Sequence, residues 1–275
     1  MGTACGSPGA ITIPSLLARA DTEEPSIFRP EAMLRETRRQ RHLPPGSVPA
    51  VCVLDPDGDI VRQLQRAGRA QPSASWACYH STLWETADED GPLGIVGGAV
   101  GAPYAVLVAE QLFASGCALL ISITSAGQLE SQWPPSGVVL IERALRGEGT
   151  SHAYLPPAPI VAAPAALITA VACAVRETAV PVTRGMSWTT DAPYRETATA
   201  LAHAHAQGAT VVEMEAAALY AFAAARQRPV VCFAHVTNTM AVTEGDFDKG
   251  PADGVAQALT LVTATRRAWR HLGQS

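Results

Sequence analysis

Short apolar runs alternate with longer apolar-faced segments along almost the whole chain. VPAVCVL (48–54), LGIVGG (93–98), CALLISIT (117–124), GVVLIER (137–143), VPVTRGMSW (180–188), ATVV (209–212) and PVVCFAHVTNT (229–239) are compact and mostly β-branched, and they read as buried strands. Between them, IFRPEAMLRETRRQ (27–40), IVRQLQRAG (60–68), YAVLVAEQLFASG (104–116), PAALITAVACAVRE (164–177), YRETATALAHAHAQG (194–208) and QALTLVTATRRAWRHL (257–272) read as helices. Pro30 suits a helix start and Gly116 a helix end. Strands that are apolar throughout describe a sheet covered on both faces, so the pattern predicts a three-layer α/β/α fold. Residues 1–26 are small and weakly patterned and are expected to form a flexible arm. No long Pro/Gly/Ser linker divides the rest, which predicts a single domain over 27–275.

One segment needs more than packing to explain it. VVEMEAAALYAFAAA (211–225) sets Glu213 and Glu215 around Met214, directly before ten residues without charge. The uncharged run is apolar on every side and predicts a buried helix. Two carboxylates at its start are costly unless something meets them. Acids complement the unsatisfied N–H groups of a helix start, and that is the structural account. The functional account is a carboxylate gripping a polar ligand at the rim of a sheet. The glycines at 97–101, SAG (125–127), the MSWTTD loop and TNT (237–239) all follow predicted strands, where ligands bind in sheets of this kind.

Composition narrows the partners. The chain of 275 residues is 48% hydrophobic and 16% charged, with a net charge of −5. Its pI near 5.8 leaves no basic footprint for nucleic acid or an anionic membrane. RETRRQRH (35–42) reads as a solvated helix end. Six cysteines show no paired or metal-type spacing, and His203 and His205 point to different helix faces, so no metal is expected. No apolar run is long enough to span a bilayer, and MGTACG fits neither a signal peptide nor a myristoylation site. These features predict a cytoplasmic location.

VVEMEAAALY resembles the ribose-binding segment of the nucleoside phosphorylase family, which includes uridine phosphorylases and hexameric purine nucleoside phosphorylases. ITSAGQL is similar to that family's strand-to-loop segment, and GAVGAP, WTTDAPYRE and HVTNT fall in the family's order around it, over roughly residues 48–270. The resemblance implies a mixed central sheet, cleavage of a nucleoside N-glycosidic bond, and inorganic phosphate as co-substrate with no organic cofactor. It also implies a homo-oligomer, a dimer or a hexamer built of dimers. Such cleavage passes through an oxocarbenium-like sugar, stabilised by a carboxylate on the 2- and 3-hydroxyls and by apolar crowding. By resemblance Glu215 holds the hydroxyls, Met214 packs on the sugar, and Ser125 sits between sugar and anion; Glu213 supports the site or faces the base edge, and these four make up the expected ribose contacts. Asn238, with donor and acceptor on one amide, meets the base, and Asp191 organises the base loop. Trp188, Tyr194 and Gly127 complete the base site. Glu215, Asn238 and Asp191 form the expected catalytic set. Each has a structural alternative: Ser125 as a backbone cap, Asn238 as a turn residue, Asp191 as a helix cap, and the aromatics as core.

The chain departs from the family where phosphate is held. Its turn is LDPDG, with Leu54 and Gly58 where the family carries a glycine and an arginine. Ser122 stands where a strand arginine is expected, and CYHSTLW (78–84) lacks the arginine lent by a neighbour. Gly98 in the glycine turn, Ser125, Arg62 and Arg184 are the remaining candidates for the anion. Water in place of phosphate would make the protein a nucleosidase, with Glu85 and Glu110 candidate bases by residue type alone. A family member turned to a non-standard nucleoside-like molecule, or one that binds without turnover, is the third expectation.

Overall fold

The computed structural model describes residues 21–129, 137–240 and 244–273. Most of the expected N-terminal arm therefore lies outside the described residues. The helices are α1 (Pro30–Arg41), α2 (Asp59–Arg66), α3 (Ala102–Ala114), α4 (Ala165–Arg176), α5 (Ala198–Ala206), α6 (Ala216–Arg226) and α7 (Val255–Leu272). The strands are β1 (Val51–Asp55), β2 (Gln71–Pro72), β3 (Leu83–Asp88), β4 (Gly91–Gly97), β5 (Leu119–Gln128), β6 (Val138–Gly147), β7 (Ile160–Ala162), β8 (Val182–Thr190), β9 (Ala209–Glu213) and β10 (Val230–Asn238). MSWTT, expected as a loop, is the last part of β8, and SAGQ extends β5.

The strands form one mixed sheet in the order β10-β6-β8-β9-β5-β1-β4-β3-β2, with β7 on β6. β5 also pairs with β10, so β5, β10, β6, β8 and β9 close on themselves. The length of β5 makes this possible. Its first residues pair with β1, from Val51↔Leu119 to Leu54↔Ser122. Its last two, Gly127 and Gln128, pair with Val212 and Val211 of β9 in the antiparallel sense. β9 thus runs back along the end of β5 and delivers Glu213 and Glu215 beside the residues just before Gly127.

The alanine helix α6 is as buried as its sequence requires, with Ala216 to Ala223 all at 2% exposure or less. Tyr220 fits there because its hydroxyl donates to the Ile141 carbonyl at 2.5 Å and accepts from the Cys232 amide at 3.0 Å. One phenol so bridges β6 and β10.

The strands β2, β7 and β3 escaped the sequence pattern. LWETAD is half polar and only its first residue is buried. Its turn is fixed from a distance by Arg266 of α7, which is fully buried. Arg266 donates to both Asp88 oxygens at 2.9 and 3.0 Å and to the carbonyls of Asp90, Gly91 and Pro92. Arg266→Met should cost about 3–5 kcal/mol, because an anion and three carbonyls lose their donor. Urea unfolding measures it, and a loss under about 1 kcal/mol would contradict this role. The basic run is not merely solvated either: Arg38 reaches the Ser75 carbonyl and Arg41 that of Cys78.

Candidate active site

The two acids of EME have different fates. Glu213 ends β9 and is buried. One oxygen accepts from the Thr189 hydroxyl at 2.5 Å, and the other from the amides of Glu215 at 2.6 Å and Ala216 at 2.7 Å. These amides open α6, so Glu213 caps the buried helix, and Thr189 also accepts from the Ala217 amide at 2.9 Å. Both oxygens are taken by protein donors. In this arrangement Glu213 holds the start of α6 beside Glu215.

Glu215 is the N-cap residue of α6, yet its side chain caps nothing. Oε1 accepts from the Gly101 amide at 2.7 Å, while Oε2 is buried with no protein partner. Gly101 has φ +88°, a conformation that favours glycine, and it turns the chain from β4 into α3 with its N–H toward the carboxylate. Burial, and then the Glu213 charge, push the Glu215 carboxyl up to about 8, against the pull of the Gly101 amide and the Thr124 hydroxyl. Asp57 is among the charges that raise it, so the two carboxylates share one neighbourhood.

Ser125 provides the link between them. Its amide and hydroxyl both donate to Asp57 Oδ2, at 3.1 and 2.5 Å. Lys249, from the segment between β10 and α7, lies 3.3 Å from the same oxygen and 2.5 Å from Asp59. Arg62 is paired with Asp59 and donates to the Asp57 carbonyl at 2.8 Å. The Gly98 amide donates to the Asp55 carbonyl at 3.0 Å. The three expected anion contacts, Gly98, Ser125 and Arg62, are therefore all bonded to this chain's own acceptors. Arg184 is paired with Glu142 instead. Glu110 bonds Tyr154 and Arg226. Arg226 ends α6, which places Glu110 about 16 Å along the helix from Glu215.

The base contacts are brought together only in part. Asn238 lies opposite Gly127 in the β10–β5 register, and a Cβ on Gly127 would meet Met240 Sδ at 2.9 Å and Asn238 Oδ1 at 3.3 Å. The Asn238 amide is held locally: Nδ2 donates to the Thr237 hydroxyl and Oδ1 accepts from the Met240 amide at 2.9 Å. This is the turn geometry of its structural alternative. Asp191 caps no helix; it accepts from the Gly149 amide at 2.9 Å and joins the end of β8 to the turn after β6. Trp188 packs with Met186, Ala204 and Ala209 as core. Tyr194 is 99% exposed and has no ring partner among the described residues. Met214 is half-buried between the two acids.

Sequence reasoning missed Gly101 and Thr189 as partners of the two glutamates, and the meeting of Asp57 with Ser125 and Lys249. One signal was available: Lys249 is the only lysine among 275 residues. Among the described residues no group of three or more His, Cys, Asp or Glu is placed to hold a metal ion, and no helix is long and apolar enough to cross a membrane.

A mixed sheet whose strands close on themselves, with the buried Glu215 carboxylate near the Asp57–Ser125 pair, defines the candidate site. Residues 51–265 match the phosphorylase superfamily, and the chain belongs to that family. No curated protein is significantly similar to it in sequence. Among solved structures it is similar to an AMP nucleosidase from Bacteroides thetaiotaomicron, at 18% identity and TM-score 0.69, over 90% of this chain and 100% of that one. A uridine phosphorylase from Vibrio fischeri matches at 20% identity and TM-score 0.67, covering 82% and 93% of the two chains. A purine nucleoside phosphorylase from Toxoplasma gondii, solved with immucillin-H, matches at 18% and 0.68, covering 82% and 92%. At these identities the likeness is one of fold.

Proposed function

We propose that the protein cleaves the N-glycosidic bond of a nucleoside and that water, not phosphate, is the attacking group. Glu215 holds the sugar hydroxyls through its unpartnered Oε2, and Met214 crowds the sugar. Water is favoured by one observation: the Asp57 carboxylate accepts both donors of Ser125, so an anion of the chain itself stands where a co-substrate anion would bind. A phosphate there would meet Asp57 and Asp59 with a single lysine shared between them. The phosphorolytic expectation from sequence gives way on this ground to the hydrolytic one.

Asp57 is also the carboxylate best placed to take a proton from water, because Oδ2 is anchored by three donors while the side chain stays about one-third exposed. Neither Glu85 nor Glu110 is drawn into this set. The exposed Ile27 and Phe28, beside a groove of about 730 Å3, supply apolar surface for the homo-oligomer.

Incubation with a panel of purine and pyrimidine nucleosides, with and without phosphate, tests the reading. Base release at the same rate in both is expected; release only with phosphate would refute it. Asp57→Ala adds a second check. It frees the Ser125 donors and leaves Lys249 nearby, so phosphate should raise the melting temperature of the variant and not of the parent. Equal shifts in both proteins would show that the position was never occupied.

A further inference from the structure

Beneath Ser125, on the side facing α7, lies a cavity of about 30 Å3 walled by Asp55, Asp57, Asp59, Thr124, Ser125 and His235, and closed by the start of α7. It has room for one water molecule, which needs two to four polar partners. The His235 imidazole forms one wall. It is 9% exposed, and its Nε2 is buried with no protein partner. His235 stands opposite Ser125 in the β10–β5 register, so both strands present their polar side chain to the same space. Gly254, the N-cap of α7 with φ +70°, is packed on the ring so closely that a Cβ there would lie 2.5 Å from Cε1. Glycine at 254 and an imidazole at 235 therefore require each other. An ordinary core histidine would have a protein acceptor or donor at the buried nitrogen.

We propose that this cavity holds one ordered water joining His235 to Asp57, and that His235 is a positioning residue providing an outlet for the proton released at Asp57. The inference rests on the hydrolytic reading for its use, though not for its existence. In the step it serves, the attacking water forms a C–O bond to the anomeric carbon as the C–N bond breaks. The bonding pair leaves on the base nitrogen. The water's proton passes to the Asp57 carboxylate and, through the buried water, to His235; the departing base takes up one proton from solvent, and His235 later returns one. The charged groups that face the ring are Asp57 from the turn before α2, Asp59 at the start of α2, Lys249 and Asp248 from the segment before α7, and Asp253 beside Gly254. Asp55, pushed up to about 6 by burial, shares the cavity wall. Burial, and next Lys249, hold the imidazole below its usual range, so it is neutral and ready to accept at neutral pH.

Ring NMR of the full-length protein tests the link without turnover. With Asp57→Asn the His235 midpoint should fall by about half a unit or more, because a facing negative charge is lost. The parent should also show cross-relaxation between the ring and a long-lived water. An unmoved midpoint, or no such water, would overturn the proposal. For its role, His235→Gln should lower kcat at least about tenfold with KM little changed and alter the acid limb of the kcat profile, where Glu215 goes on titrating and glutamine does not. An unaltered pH profile in that variant would refute the outlet. Parent protein that releases base only with phosphate would defeat the hydrolytic reading, while the NMR result judges the His235–Asp57 link separately.

Discussion

Glu215→Gln is expected to reduce base release by about 10²–10⁴-fold while the fold persists. Two hydrogen bonds from sugar hydroxyls to an ionised carboxylate are worth about 1.5–3 kcal/mol each, and glutamine cannot accept both as an anion. The variant keeps an oxygen for the Gly101 amide. Its stability should respond to pH differently from the parent. The Glu215 carboxyl is raised to about 8 in the folded chain, against 4.5 for the free group. Between those values the folded state holds a proton that the unfolded state has released. Parent stability therefore falls as pH rises from about 4.5 to 8, by at most about 1.4 kcal/mol per pH unit. Glutamine has no proton to hold, so its urea midpoint should decline less over this window. Parallel declines in the two proteins, or undiminished turnover in the variant, would remove Glu215 from the chemistry. A sugar that donates to the carboxylate favours its ionised form, so ligand binding near neutral pH should release a proton. Calorimetry in buffers of different ionisation enthalpy would detect it.

The fold was largely readable because its strands are continuously apolar and its helices carry their own start and stop signals, as at Pro30 and Gly116. Strand β3 was not, since its turn into β4 is held by Arg266, some 176 residues from Asp90 and without local trace. The candidate site divides in the same way. Glu215 stood out as a charge before a buried helix, a conflict visible within a few residues. The hydrolytic proposal rests on the meeting of Asp57, Ser125 and Lys249, from the turns after β1 and β10 and from β5, and no periodicity reports such a meeting. DPDGD reads locally as a turn, and so it is, yet the same turn carries Asp57 to Ser125. Strand direction is equally silent in the sequence: β9 runs parallel to β8 and antiparallel to β5.

Glu213→Ala should show the opposite pattern to Glu215→Gln, with stability lost before chemistry. The substitution strands the amides of Glu215 and Ala216 and the Thr189 hydroxyl in a buried space, where each missing acceptor costs about 1–3 kcal/mol. Water cannot readily replace the carboxylate, since α6 is buried along two turns. A loss of about 3–5 kcal/mol in urea is expected, a large part of a typical domain's stability. The same change removes a charge that pushes the Glu215 carboxyl upward, so Glu215 should ionise at lower pH in whatever fraction remains folded. Base release per folded molecule should then persist further into acid than in the parent, even as the protein unfolds more easily. If Glu213→Ala instead leaves the urea midpoint in place and abolishes turnover, Glu213 meets the ligand directly and the cap assigned to it is wrong. The pair of acids around Met214 is thus two devices in one tripeptide: one holds the helix so that the other is held, half-satisfied, at the rim.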